Sequence, residues 1–147
     1  MKILMVCLGN ICRSPLAHGI LQHLAKENGL KWEVDSAGTG GWHIGEQPDR
    51  RSIAIAKNNG IDISDQSCRQ FEPRDFDEYD QIFVMDYSNL NDVKALARND
   101  KDHKKISLLL NDGIVPDPYY DNTQFESVYK MVEKRCREII NEYSAPA

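Results

Sequence analysis

Hydrophobic positions along this chain switch between two periods. Residues 2–8, "KILMVCL", form a continuous apolar run of buried-strand length that breaks at Gly9 and Asn10. From Ser14 the spacing becomes helical, with Leu16, Ile20, Leu21 and Leu24 three or four apart behind Ser14 at the cap and Pro15 in the first turn. Gly29 marks the end of that helix. "KWEVDSAG" then reads as a second strand entering the glycine-rich loop "GTGGWHIGEQPD".

The pattern repeats downstream. A helix is expected over residues 49–59, ending at Gly60, and a third strand over residues 81–85, followed by a helix through "NLNDVKALA". Residues 104–110, "KKISLLL", give a fourth strand. The last helix is the clearest, with Phe125, Val128, Tyr129, Val132, Cys136, Ile139, Ile140 and Tyr143 at steps of three and four. Strands alternating with helices predict an α/β fold: a three-layer sandwich with a four-stranded parallel sheet and helices on both faces, in one domain over residues 1–147. Ligands in such sheets bind beyond the carboxyl ends of the strands, where Cys7 and the loop after Leu110 both fall.

Composition narrows the classes. A chain of 147 residues, 41% hydrophobic and 28% charged, has the profile of an ordinary soluble protein with one substantial core. The opening apolar run is too short for a secretory signal and no run approaches a membrane span, which points to the cytoplasm. A net charge of −5 with no basic stripe argues against nucleic acid, although a local positive cleft could still take a small anion. Cys7, Cys12, Cys68 and Cys136 are too sparse for a disulfide scaffold, and His18, His23, His43 and His103 do not stand at metal-ligand spacing from them. No metal is expected.

The chemistry concentrates in "CLGNICRS", residues 7–14. A strand ends, a compact loop follows and a helix begins, so loop amides and the helix's first turn can converge on one anion. Gly9 permits close approach, Asn10 tolerates a left-handed backbone, and Arg13 adds a planar fork suited to two phosphate oxygens. Cys7 stands where positive potential is greatest and the nucleophilic thiolate is favoured. Bound phosphate above a thiolate implies phosphoryl transfer to sulfur. A nucleotide-binding P-loop is excluded because no GK[ST] follows. The chain also carries a decoy, since Cys68 and Arg74 in "CRQFEPR" repeat the spacing of Cys7 and Arg13. That segment has no glycine, its Glu72 would repel phosphate and Pro73 removes a donor. Ester cleavage also needs a proton for the leaving oxygen, and Asp117, held between Pro116 and Pro118, offers one, with Tyr119 and Tyr120 as walls for a flat ring.

With these pieces in place, the chain resembles the low-molecular-weight protein tyrosine phosphatases over nearly its full length. "VCLGNICRSPLA", "DSAGTGGW", "MDYSNL" and "DPYYDN" stand in the family's order. The resemblance implies a phosphocysteine intermediate, no metal or other cofactor, phosphotyrosine-containing proteins and small aryl phosphates as substrates, and inorganic phosphate or similar oxyanions in the site. It implies Cys7 as nucleophile, Arg13 as the phosphate and transition-state ligand, and Asp117 as general acid, then general base. Ser14 would donate to the Cys7 sulfur, and Asn10 would organise the loop with Ser36 beside it. Gly9 and Cys12 complete the loop, while Leu8, Ile11, Trp42 and Tyr119 correspond to the pocket walls. Many members carry a histidine where this chain has Gln66, which leaves its support of Asn10 to Gln66 or Ser67. Cys12 keeps two readings: capture of an oxidised Cys7 as a disulfide, or packing beneath the loop. A related family reduces arsenate with a similar loop. That chemistry needs a further cysteine pair, whereas Cys68 and Cys136 stand alone and "DPYY" favours the phosphatase.

Overall fold

The structure, a computed structural model, describes residues 1–111 and 113–144. Strands β1 (Lys2–Cys7), β2 (Glu33–Gly38), β3 (Gln81–Val84) and β4 (Ile106–Leu108) form one sheet in the order β2-β1-β3-β4, every neighbouring pair parallel. The register aligns Cys7 with Gly38, Val6 with Val84 and Val84 with Leu108, so all four carboxyl ends meet along one edge.

Helices cover both faces. α1 (Arg13–Glu27), α2 (Arg50–Asn58) and α6 (Phe125–Ser144) pack over Ile3, Met5 and Cys7 of β1. α3 (Asp75–Glu78) and α4 (Tyr87–Leu96) contribute Phe76 and Val93 to a second core over Leu4 and Val6. β1 is central and buried on both sides, which explains why it reads as an unbroken apolar run rather than an alternation.

Two expectations shift. Helix α1 begins at Arg13, not after a Ser14 cap; its cap position is Cys12, without a side-chain capping bond. The Ser14 hydroxyl is drawn instead to Cys7 and Asn10. The fourth strand is shorter than expected because α5 (Asp100–Lys104) takes up the start of the "KKISLLL" segment. Asn99 caps that helix by accepting from the Asp102 N–H at 2.9 Å, and Asp102 holds Arg98 at 2.8 Å; local capping outweighs the strand pattern there.

Candidate active site

Each strand's carboxyl end delivers part of one pocket. β1 leads into the loop of residues 8–12, β2 into Trp42, β3 into Asp86, and the segment after β4 into Asp117 and Tyr119. The pocket encloses about 370 Å³ and is lined by Cys7, Leu8, Gly9, Ile11, Cys12, Arg13, Trp42, His43, Asp117, Tyr119 and Tyr120.

The loop is built around its amides. Among the described residues, none accepts a hydrogen bond from the backbone N–H of Gly9, Asn10, Ile11 or Cys12. Asn10 takes the left-handed backbone expected of it, at φ 58°. Its side chain donates from Nδ2 to Ser14 Oγ at 2.8 Å and accepts the Arg69 N–H at 3.0 Å, while its carbonyl accepts from Cys68 Sγ at 2.8 Å. Ser14 Oγ lies 3.0 Å from Cys7 Sγ. Gly38 lets β2 approach this loop closely: a Cβ there would sit 2.8 Å from the Leu8 carbonyl oxygen and 3.0 Å from the Asn10 nitrogen, both rigid backbone.

Arg13 is 3% exposed and anchored from behind. Its Nη1 donates to Asp86 Oδ2 at 2.7 Å and to the Val115 carbonyl at 3.0 Å, while Nη2 lies 3.8 Å from Asp117 Oδ2. Burial opposes the guanidinium charge, but Cys7, Asp86 and Asp117 together outweigh it and hold the proton more firmly than in a free arginine. Asp86 also caps α4, its Oδ1 accepting from the Asn89 N–H at 2.8 Å. Burial pushes the Cys12 thiol up to about 12, with Asp49 and Cys7 adding to the effect, which suits a packing role for Cys12 beneath the loop.

The structure brings Cys7, Leu8, Gly9, Ile11, Cys12, Arg13, Trp42, Asp117 and Tyr119 together around this pocket. Asn10 and Ser14 brace it from within. Ser36 departs from expectation: its hydroxyl meets His18 Nδ1 at 3.0 Å, whereas Asn10 is held by Ser14, Cys68 and Arg69. Gln66 also turns away, its Nε2 donating to the Pro15 carbonyl at 3.1 Å. Support of Asn10 therefore falls to the neighbouring Cys68 and Arg69. The decoy segment is no second anion site, since Arg74 is drawn to Glu72 at 2.6 Å and Arg69 grips Asp75.

Sequence reasoning missed Asp86, His43, Cys68 and Arg69. Asp86 had one available signal, an acid at a helix start directly after the third strand. The bonds from Cys68 and Arg69 span 58 and 59 residues and left no local trace. Among the described residues, no group of three or more His, Cys, Asp or Glu could hold a metal ion, and no helix is long and apolar enough to cross a membrane.

Loop amides, a thiol, a buried arginine and a carboxyl thus meet at the strand ends of this sheet. The sequence profile described as low molecular weight phosphotyrosine protein phosphatase matches residues 2–145. The human low molecular weight phosphotyrosine protein phosphatase is 40% identical over 148 residues, covering 95% of this chain and 93% of its own. Two solved structures superpose closely. DARP, a Drosophila arginine phosphatase, gives a TM-score of 0.92 at 34% identity and full coverage of both chains. Vibrio vulnificus Wzb in complex with benzylphosphonate gives 0.86 at 28% identity, covering 96% of this chain and 97% of its own. The chain belongs to the low-molecular-weight protein tyrosine phosphatase family, and it is a phosphatase.

Proposed function

We propose that the chain, acting as a single phosphatase domain over residues 1–147, hydrolyses phosphotyrosine in proteins and small aryl phosphates through a phosphocysteine on Cys7. One observation carries this reading: Cys7 Sγ sits at the foot of a loop whose amides from Gly9 to Cys12 donate to no described residue, with Ser14 Oγ 3.0 Å away. Phosphate in that loop meets the amides and Arg13 Nη2. Cys7 sulfur attacks phosphorus opposite the ester oxygen, so that the S–P bond forms as the P–O bond breaks, and Asp117 gives its proton to the departing aryl oxygen. The Asp117 carboxylate then takes a proton from water, whose oxygen attacks phosphorus and releases inorganic phosphate. Ser14 donates to the returning thiolate.

The walls favour an aryl group. Trp42 is 68% exposed and stands out from the surface, and Tyr119 and Tyr120 meet edge to face at 4.9 Å. Arsenate reduction fits less well, since a relay needs a second accessible thiolate while burial holds the Cys12 thiol near 12 and the Cys68 thiol near 11. Four free cysteines fit a reducing cytoplasmic setting.

The test is metal-free hydrolysis of an aryl phosphate, a phosphotyrosine peptide and phosphoarginine in parallel. The wild-type chain is expected to turn over the first two and Cys7→Ser neither. Turnover confined to phosphoarginine, or persisting in Cys7→Ser, would overturn the reading.

A further inference from the structure

Beside the pocket lies a second, open groove of about 600 Å³ that shares Ile11, His43 and Tyr119 with it. Residues 46–51 and Ala54 complete its lining, with Arg50 and Arg51 at the start of α2. A phosphotyrosine ring held in the pocket carries a polypeptide that must leave across its rim. The shared wall makes this groove a path for that polypeptide.

Most charges in the groove are already engaged. Glu46 Oε2 lies 3.0 Å from His43 Nδ1. Asp49 grips Arg51 at 2.9 and 2.8 Å, and Arg51 also donates to Asn122 at 2.5 Å and lies over the Tyr119 and Phe125 rings at 5.4 and 4.6 Å. The Arg51 bond holds the Asp49 carboxyl below its usual range, with Arg50 adding only at longer reach. Arg50 is exposed and makes no ion pair or side-chain hydrogen bond among the described residues. It is the uncommitted cation on this wall.

We propose that Arg50 determines substrate choice by pairing with an acidic side chain within a few residues of the phosphotyrosine. The inference rests on the phosphatase reading and deepens it. Paired with Arg50, the acidic group would lie at the protein surface, where an ion pair changes binding by a small factor and is screened by salt. The preference for an acidic over a neutral peptide is therefore about two- to fivefold in kcat/KM at low salt.

The experiment compares phosphotyrosine peptides carrying Glu, Ala or Lys at the flanking positions, in wild type, Arg50→Gln and Arg50→Glu, with a small aryl phosphate as the internal control. Wild type is expected to rank Glu above Ala above Lys, with the ranking flattened in 0.5 M salt, where the screening length is about half that in physiological buffer. Arg50→Gln should erase the ranking and Arg50→Glu reverse it, while aryl-phosphate kinetics stay at the wild-type level in both. Charge-blind peptide kinetics in wild type, or a ranking that survives in Arg50→Gln, would overturn the inference alone. Loss of all turnover by wild type, aryl phosphate included, would overturn the phosphatase reading and this inference with it.

Discussion

Replacing Asp86 by asparagine removes the acceptor behind Arg13 while keeping the cap of α4. Arg13 is 3% exposed, and the two acceptors of its Nη1 are Asp86 Oδ2 at 2.7 Å and the Val115 carbonyl at 3.0 Å. Asparagine keeps the size of Asp86 and caps helices about as well, so the bond from the Asn89 N–H to its one carbonyl oxygen survives. Its amide nitrogen then faces Arg13 Nη1, donor against donor, so the charge and the acceptor behind Arg13 are lost together. A hydrogen bond to a charged group contributes about 1.5–3 kcal/mol, which sets the expected loss of stability. The same guanidinium is assigned to the substrate phosphate, so kcat/KM for an aryl phosphate should fall about ten- to a hundredfold, the order of magnitude that corresponds to that free energy. Asp86→Ala should cost a further ~1 kcal/mol of stability through the lost cap, without a matching further loss of activity. Urea unfolding and steady-state kinetics, with inorganic phosphate as inhibitor, read both quantities. Wild-type kinetics in Asp86→Asn, with stability lowered or not, would refute the claim that Asp86 aims Arg13.

Gly38→Ala forces a methyl against the Leu8 and Asn10 backbone; it should cost about 1–3 kcal/mol and weaken phosphate inhibition, and unchanged inhibition would show that the loop yields freely. Burial lowers the His18 pKa from 6.5, with Arg69 acting the same way and Asp35 and Asp65 opposing. The unfolded chain therefore binds this proton first as pH falls, so His18 contributes stability above about 6.5 that is lost below it. Urea midpoints from pH 7.5 to 5.5 should decline less steeply in His18→Asn, and identical slopes would contradict this. Asp117→Ala should slow hydrolysis most for poor leaving groups, giving a steeper dependence of rate on leaving-group acidity; a parallel drop for all esters would remove the proton-donor role.

Much of this was legible in the chain because it is local. The unbroken apolar β1, the glycine and asparagine after it and the helical spacing from Leu16 to Leu24 are each settled within a few residues. The Asn10 backbone at φ 58° was readable for the same reason. What escaped depends on strand order. Asp86 reaches Arg13 only because β3 lies beside β1, and Cys68 and Arg69 reach Asn10 across a sequence gap that no periodicity encodes. Ser14 looked like a helix cap because its residue type and position fit one, yet the Cys7 sulfur and Asn10 amide claim its hydroxyl. Its functional contacts displaced its local preference.

The most direct test of the central claim is to look for phosphorus on sulfur. Asp117→Ala, which slows the attack of water, is mixed with an aryl phosphate bearing a good leaving group, quenched within milliseconds, and the protein is mapped by mass spectrometry. The account predicts one phosphoryl group per chain on Cys7 and none in the matching Cys7→Ser double variant. Phosphorus found on another side chain would contradict it, as would hydrolysis that continues without any covalent phosphoprotein.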